Sequence, residues 1–370
     1  MKISGGASKY QRNWKRKSRL FLVQKQQRRA AKQERRLKRH RKYHGAIQSE
    51  ETREQKLAKM FPGYKQINAP ENLSLLSNEK KTLDFLNKLQ ENYKARNKVA
   101  VLLDNVQSIT TDAIVVLLSN MVHFKAARIG FNGTQPRDPL VRNCLEASGF
   151  FNHLYGLAMP DKDVYSFRKI NNYIYTHGQK TVEASLADDI VKYASKTVWG
   201  EPRRCPGIQT TLVELMHNTY DHAGLQKGEK HWWVSVEHNE QDHEVTFSFI
   251  DFGVGIFRSL KNKKPGEPLY GAMDFIIQHF PLASTEVDQL RLILEGEVKL
   301  TQSNEYYRGR GLRNIYQKSQ AKQIADLSII SNYASARVFE NDYHAIKNEF
   351  MGTFISFKMN QNTHNLQWEI

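Results

Sequence analysis

The sequence predicts a mixed architecture, with a small α/β region followed by a larger α+β sandwich. Between residues 70 and 160, short apolar runs alternate with segments of helical periodicity, which is typical of an α/β layer. Between residues 180 and 360, most helices precede a late series of strands, which favours an α+β sandwich over a doubly wound parallel sheet. A length of 370 residues fits two such domains and a tail.

The first region, residues 70–160, alternates strands with helices. Thr111 or Asp112 is expected to cap its second helix, and Pro139 stands near the start of its third. Helices are predicted within residues 78–97, 110–126 and 138–154, and strands within residues 98–106 and 127–133.

The second region, residues 180–360, follows a predicted linker at residues 161–179; another linker is predicted at residues 46–69, and a short tail at residues 361–370. Helices are predicted within residues 187–200, 205–223, 272–280, 288–296 and 312–320. Two strands joined by a polar turn are predicted within residues 230–256, and further strands at residues 325–333, 336–341 and 352–359.

The positive charge of the chain is concentrated in one tail. Residues 1–45 contain 17 Lys and Arg but one acidic residue, Glu34, which leaves 38 basic and 37 acidic residues in the rest of the chain. Such a block creates a strong field, so we expect it to bind nucleic acid, a ribosome or another acidic partner. A basic helix and a poorly ordered, solubilising extension both stay open, since like charges repel one another.

Several functional classes are disfavoured. No apolar run approaches the roughly 18 residues of a membrane span, and the N-terminus lacks the pattern of a signal peptide. Cys144 and Cys205 form neither a disulfide framework nor a zinc motif. His217 and His222 diverge by about 140° on a helical wheel, which disfavours a metal site between them. We therefore expect a cytoplasmic protein without a membrane span.

The segment VELMHNTYDHA, residues 213–223, predicts a helix with one polar face. Glu214, Asn218 and Asp221 fall within about 60° of one another, and the opposite side is apolar. Taken alone, this pattern is typical of an ordinary amphipathic helix.

Two glycine motifs follow this helix in the chain. Asp251 precedes Gly253 and Gly255 at the end of an apolar strand, where alternate glycines would let a flat ligand approach the backbone. Gly309 and Gly311 stand directly before a helix, where free N–H groups attract an anion. The charges of Arg308 and Arg310 would add to that attraction.

In this order, the polar helix, the two glycine motifs and the pair Gly352–Thr353 resemble the GHKL ATPases, a family that includes gyrase, histidine kinases and MutL. The resemblance covers residues 180–360 and implies the Bergerat fold. In that fold ATP lies between the helices under a flexible lid, which here would span Ile256 to Tyr307.

The resemblance implies a role for each matched residue. Glu214 would be the catalytic base, Asn218 would ligate Mg²⁺, and Asp251 would accept the adenine amino proton. Thr353 would support Asp251 or a bound water. The other implied contacts to ATP are made by Asp221, Gly253, Gly255, Arg308, Gly309, Arg310, Gly311 and Leu312. Asp221 resembles the gyrase and MutL branch, which favours hydrolysis over a histidine kinase.

The segment VQSITTDAIVVLL, residues 106–118, resembles the STAS domain of anti-sigma factor antagonists, and the resemblance covers residues 70–160. STAS domains carry a phosphorylatable Ser at this turn, where this chain has Thr111 and Asp112. Thr111 could still accept a phosphate, but we favour a plain helix cap.

Together these resemblances imply an intracellular regulator that binds ATP and Mg²⁺ and hydrolyses ATP slowly. Its lid would control contacts with the STAS-like domain, a second protomer or an unidentified protein partner. Two alternatives stay open: a serine/threonine protein kinase of the anti-sigma type, and an ATP-sensing nucleic-acid-binding protein that acts through the basic tail.

Overall fold

The computed structural model describes residues 52–147, 150, 164–167, 172–177, 184–222, 232–251, 253–265, 270–298 and 311–367. The chain divides into two compact units, Met1–Gly63 and Tyr64–Ile370. The described part of the first unit, residues 52–63, contains helix α1 (Arg53–Met60). Thr52 and Gln55 form a reciprocal capping box, which satisfies two backbone N–H groups at the helix start. The basic tail, residues 1–45, lies outside the described residues.

The second unit begins with a small α/β layer. Its elements are β1 (Lys65–Asn68), β2 (Asn72–Leu73), α2 (Glu79–Lys94), β3 (Val99–Leu102), β4 (Ser108–Ile109), α3 (Thr111–Ala126), β5 (Phe131–Gly133) and α4 (Pro139–Ala147). A parallel sheet has the order β1-β3-β5, and β2 pairs in parallel with β4. Strand β1 falls within the predicted linker 46–69. Asp138 accepts hydrogen bonds from the backbone of Leu140 and Val141 and so caps α4, with Pro139 at the first helical position.

The remainder of this unit is built around an antiparallel sheet with the order β11-β12-β10-β9-β7-β6. The elements are β6 (Val164–Phe167), β7 (Asn172–His177), α5 (Ala184–Trp199), β8 (Arg203–Arg204), α6 (Pro206–His222), β9 (Trp232–Asn239), β10 (Glu244–Asp251), α7 (Ile256–Lys261), α8 (Ala272–His279), α9 (Glu286–Glu295), α10 (Gly311–Gln320), β11 (Ala325–Arg337), β12 (Asp342–Met359) and β13 (Leu366–Gln367). The protein is therefore a mixed α/β structure with parallel and antiparallel sheets.

Both faces of the large sheet are covered. Because successive side chains on a strand point to opposite faces, Phe247 and Phe249 of β10 pack in a cluster with α5, α6 and α10, whereas Ile250 belongs to a second cluster. That second cluster also contains Leu117 of α3 and Phe354 of β12. The small α/β layer thus packs on the sheet face opposite the helices α5, α6 and α10.

Helix α3 shows why this packing occurs. Its apolar side chains are buried on nearly every side, which is typical of a helix enclosed between two layers. It contacts β5 on one side and β9 and β10 on the other. The regions predicted as two domains, residues 70–160 and 180–360, consequently share one core within a single compact unit.

Three details differ from the sequence-based expectations. Strand β11 ends at Arg337 and β12 begins at Asp342, so most of the strand predicted at residues 336–341 is a hairpin turn. The aromatic and β-branched residues of this segment are typical of a strand. The pairing of β11 with β12, however, places the segment at the turn where the chain reverses direction. Strands β6 and β7 fall inside the predicted linker 161–179. The third difference, at the start of α3, is described with the site below. In the part of the chain that is described, every helix is too short or too polar to cross a bilayer.

Candidate functional site

A polar seam forms where helix α6 meets the start of helix α10. The amide of Asn218 lies against Gly311, because an ideal Cβ on Gly311 would stand 3.0 Å from its Nδ2 and 3.1 Å from its Oδ1. A larger residue at this position would press on the Asn218 amide. The glycine therefore allows the N-terminus of α10 to approach the polar face of α6.

Glu214 lies one turn before Asn218 and makes two contacts with α10. The amide Nδ2 of Asn314 donates to Glu214 Oε1 at 3.2 Å, and Lys318 Nζ lies 3.4 Å from the same oxygen. The side chains of Glu214 and Lys318 retain 25% and 15% of their exposure. Burial lowers the pKa of Lys318, although the Glu214 carboxylate acts in the opposite direction.

Asn314 and Lys318 are site residues that the sequence did not predict. They follow Gly311 at spacings of three and seven residues, which places all three on one stripe of α10. That helical spacing after the glycine motif could have identified them. The hydrogen bond from Asn314 to Glu214, however, joins positions 100 residues apart, which periodicity alone does not show.

A second part of the site lies at the end of strand β10. Asp251 Oδ1 accepts a hydrogen bond from the backbone of Gly253 at 2.7 Å. Thr353 is the register partner of Asp251 on β12. Burial raises the pKa of Asp251 to about 6, although the Gly253 N–H and the Thr353 side chain act to lower it.

Position 255 requires a glycine because the side chain of Asn332 packs directly against it. Its φ is +80°, and an ideal Cβ would stand 2.4 Å from Asn332 Oδ1. Asn332 is 1% exposed; its Oδ1 accepts from Phe257 N at 3.1 Å, and its Nδ2 donates to Val254 O at 3.0 Å. Ser331 adds a hydrogen bond from Ile256 N at 2.9 Å. Asn332 and Ser331, which the sequence did not predict, therefore hold the turn that follows Asp251.

The seam and the Asp251 turn lie on the same side of the large sheet. Phe249 and Ile355 are each two residues from Asp251 and Thr353, and share their faces of the strands. Both belong to the buried cluster that contains Leu215 of α6 and Ile315 of α10. The fold therefore brings Glu214, Asn218, Asp251, Thr353 and Gly311 to one layer of the molecule.

Some predicted site residues fall outside the described residues: Arg308, Gly309 and Arg310. Asp221 lies in α6, but its side chain is not among those described. Leu312 is the second residue of α10, after Gly311. Its side chain packs against the buried cluster that contains Phe247 and Phe249. Within the predicted lid, from Ile256 to Tyr307, the described parts form α7, α8 and α9.

The start of α3 differs from the predicted cap. Thr110 is the N-cap residue, so Thr111 and Asp112 lie in the first turn. The predicted cap was wrong because both side chains bond elsewhere: Thr111 Oγ1 donates to Glu237 Oε2 of β9 at 2.6 Å, and Asp112 Oδ2 accepts from Leu75 N at 2.6 Å. Burial raises the pKa of Asp112 to about 6. Thr111 is 6% exposed and ties the small layer to the sheet.

Comparison with known proteins adds no family assignment. No family model matches the chain, and no curated protein matches it significantly. The functional inference therefore depends on the residues and their geometry.

Proposed function

We propose that this protein is an ATP- and Mg²⁺-binding regulator of the GHKL type that hydrolyses ATP slowly. The observation that carries the proposal is the seam between α6 and α10. It sets the Asn218 amide against the glycine start of a helix and places the Glu214 carboxylate one turn away. A metal ligand, a phosphate-attracting helix end and a base are the groups that phosphoryl chemistry needs.

The Asp251 turn supports the assignment of ATP as the ligand. A partly buried carboxylate at the end of a strand can accept the amino proton of adenine, and Thr353 lies opposite Asp251 on β12, where it could support that carboxylate. Because the pKa of Asp251 is raised only to about 6, the group is mainly ionised at neutral pH. The carboxylate is therefore available as an acceptor where the protein is expected to work.

The residues present also fit Mg²⁺. Among the described residues no group of three or more His, Cys, Asp or Glu side chains could hold a metal ion. Mg²⁺ commonly binds through one or two protein oxygens together with phosphates and water, which suits the single amide oxygen of Asn218. When bound, the ion would neutralise charge on the phosphates. Glu214, on the same face of α6, would accept the proton of the attacking water.

The packing suggests how ATP binding is coupled to a response. Strand β10 ends at Asp251. The face of β10 that points away from α6 and α10 contacts α3 of the small layer. We propose that this layer is a STAS-like domain docked in cis on a Bergerat-type sheet. Nucleotide would then shift contacts of this layer, a second protomer or another protein, provided that it binds the two arrangements with different affinities.

The test is calorimetric titration with ATP in the presence of Mg²⁺. Asn218→Ala should weaken binding by about tenfold or more, because a hydrogen bond or ligand to a charged group is lost. His217→Ala is the matched control, since it alters the exposed neighbour on the same helix. Equal affinity of Asn218→Ala and wild type would refute the metal assignment.

Hydrolysis is tested separately from binding. Glu214→Gln should keep ATP affinity and lose most turnover, because the neutral amide is not a base. Retained turnover would exclude the base role. Incubation with ATP labelled on the γ-phosphate distinguishes the kinase alternative, in which label would enter protein. Thr111 is a poor acceptor in this arrangement because its hydroxyl is buried and bonded to Glu237.

The charge of residues 1–45 favours a second candidate function, an ATP-sensing protein that binds nucleic acid. Affinity for RNA and DNA should then fall steeply with salt, because phosphate contacts release counterions. Removal of residues 1–45 should abolish that binding and leave ATP affinity unchanged. Nucleic-acid binding that survives the truncation would count against this role of the tail.

A further inference from the structure

The Glu214 carboxylate is held through one of its two oxygens. Oε1 accepts from the Asn314 amide at 3.2 Å and lies 3.4 Å from Lys318 Nζ. Oε2 is buried and has no hydrogen-bond partner within the described residues. The two oxygens therefore have different surroundings, although they belong to one group.

From this asymmetry we infer that Lys318 and Asn314 are positioning residues, which hold the Glu214 carboxylate through Oε1 and leave Oε2 as the atom that accepts the proton. The inference rests on the proposed function and adds two residues and an atomic assignment to it. Because both side chains contact Oε1, they fix the orientation of the carboxylate.

A purely structural ion pair explains the geometry less well. A buried acceptor without a partner costs free energy, so a pair that served only to join two helices would be expected to satisfy both oxygens. Buried ion pairs are also a weak source of stability, since desolvation offsets the attraction. Beside a helix that presents N–H groups, an oxygen with no partner among the described residues is better explained by a proton donor that arrives with the substrate.

The position of Lys318 also separates it from the expected phosphate site. It follows Gly311 by seven residues, which is roughly 10 Å along a helix axis. Glu214 is the ionised group that acts on Lys318 in the described part of the chain. Arg313, the neighbouring cation on α10, lies instead against Gly296 at the end of α9. Among the described residues, Lys318 is therefore the cation that contacts Glu214.

The chemical step balances with water as the co-reactant. The water oxygen forms a bond to the γ-phosphorus, and the bond from that phosphorus to the bridging oxygen breaks. ADP leaves with the bridging oxygen and its electron pair. One water proton moves to Glu214 Oε2, and the carboxyl later returns this proton to solvent.

The first experiment separates turnover from ATP binding in the full chain. Lys318→Met should lower kcat by about tenfold and change ATP affinity less than about twofold, because Glu214 loses one of the two contacts that orient it. Lys318→Arg should keep most of the turnover, since its guanidinium can also contact Oε1. Gln317→Met is the matched control, since Gln317 is exposed on the adjacent position of α10.

The second experiment tests whether Lys318 acts through Glu214. In a Glu214→Gln background, Lys318→Met should have little further effect on kcat, because both changes act on the same side chain. Asn314→Ala should lower kcat with ATP affinity changed less than about twofold, because it removes the other contact to Oε1.

The outcomes separate this inference from the proposed function. An unchanged kcat in a folded Lys318→Met protein that binds ATP would overturn the inference and leave the proposed function standing. If Lys318→Met does not fold, Lys318→Gln and Lys318→Arg provide the same comparison. A wild-type protein that binds no ATP would reject the proposed function itself. ATP binding without turnover in wild type would overturn the assignment of Oε2 as the proton acceptor.

Discussion

Replacement of Gly255 by Ala tests whether the turn after Asp251 is held by packing. Gly255 is the N-cap residue of α7, with φ +80° and ψ 170°. This region of backbone space is almost restricted to glycine, and another residue there costs about 1–3 kcal/mol. The added Cβ would also come within 2.4 Å of the buried Asn332 amide.

The steric contribution of the added Cβ to the loss of stability follows from the hydrogen bonds of Asn332. If its amide moves, Phe257 N and Val254 O lose a partner. A buried polar group left unsatisfied costs about 1–3 kcal/mol. Together with the backbone strain, Gly255→Ala should lower the free energy of unfolding by about 3 kcal/mol or more.

Urea denaturation followed by circular dichroism measures this loss, with Gly271→Ala as the control. Gly271 also precedes a helix, with φ +78° and ψ 4°, but nothing lies within 4 Å of its ideal Cβ. It should lose only about 1 kcal/mol from the left-handed conformation. Equal losses for the two variants would refute the packing explanation. ATP affinity should fall in Gly255→Ala alone, since the Asp251 turn is displaced.

Three further predictions concern charged and polar contacts. ATP affinity of wild type should fall as pH drops through about 6, because the raised pKa of Asp251 causes protonation there, and calorimetry of Asp251→Asn should show about tenfold weaker binding without this dependence. Partial burial acts to lower the pKa of His344, but hydrogen bonds led by that to Glu79 raise it overall. The contribution of protonated His344 to the free energy of unfolding should therefore be complete below about pH 6.5 and be lost as pH rises through the folded-state pKa. In urea denaturation, the His344→Ala variant should not show this loss of stability. Thr111→Val should lower the free energy of unfolding by about 1–2 kcal/mol, since Glu237 loses a donor, whereas Thr111→Ser should lose less in the same urea assay.

The helices were predictable because their periodicity is local. The polar face of α6 and the start of α10 follow from residues three and four apart, and both helices are observed. Strands β6 and β7 were missed because they are short and lie at one edge of the sheet, next to each other. Such strands take their identity from a pairing partner more than from their own residues.

Contacts between distant segments were less predictable. The sequence of α3 is apolar enough to indicate burial, but not to show that β9 and β10 cover it. The pairing of Lys318 with Glu214 and the packing of Asn332 on Gly255 likewise depend on how separate elements meet. Spacing can suggest which face of an element is polar, whereas the partner of that face is set by tertiary structure.

The shared core has a consequence for biosynthesis. The hydrogen bond from Asn348 to Asp84 joins positions 264 residues apart, and the same interface buries Phe354 against the layer that contains α3. A ribosome releases α3 long before β12 exists, so the growing chain carries an apolar helix whose cover is not yet made. Contacts of such long range slow folding, and exposed apolar surface promotes aggregation. We therefore expect nascent chains that stop before β12 to be bound by chaperones through α3.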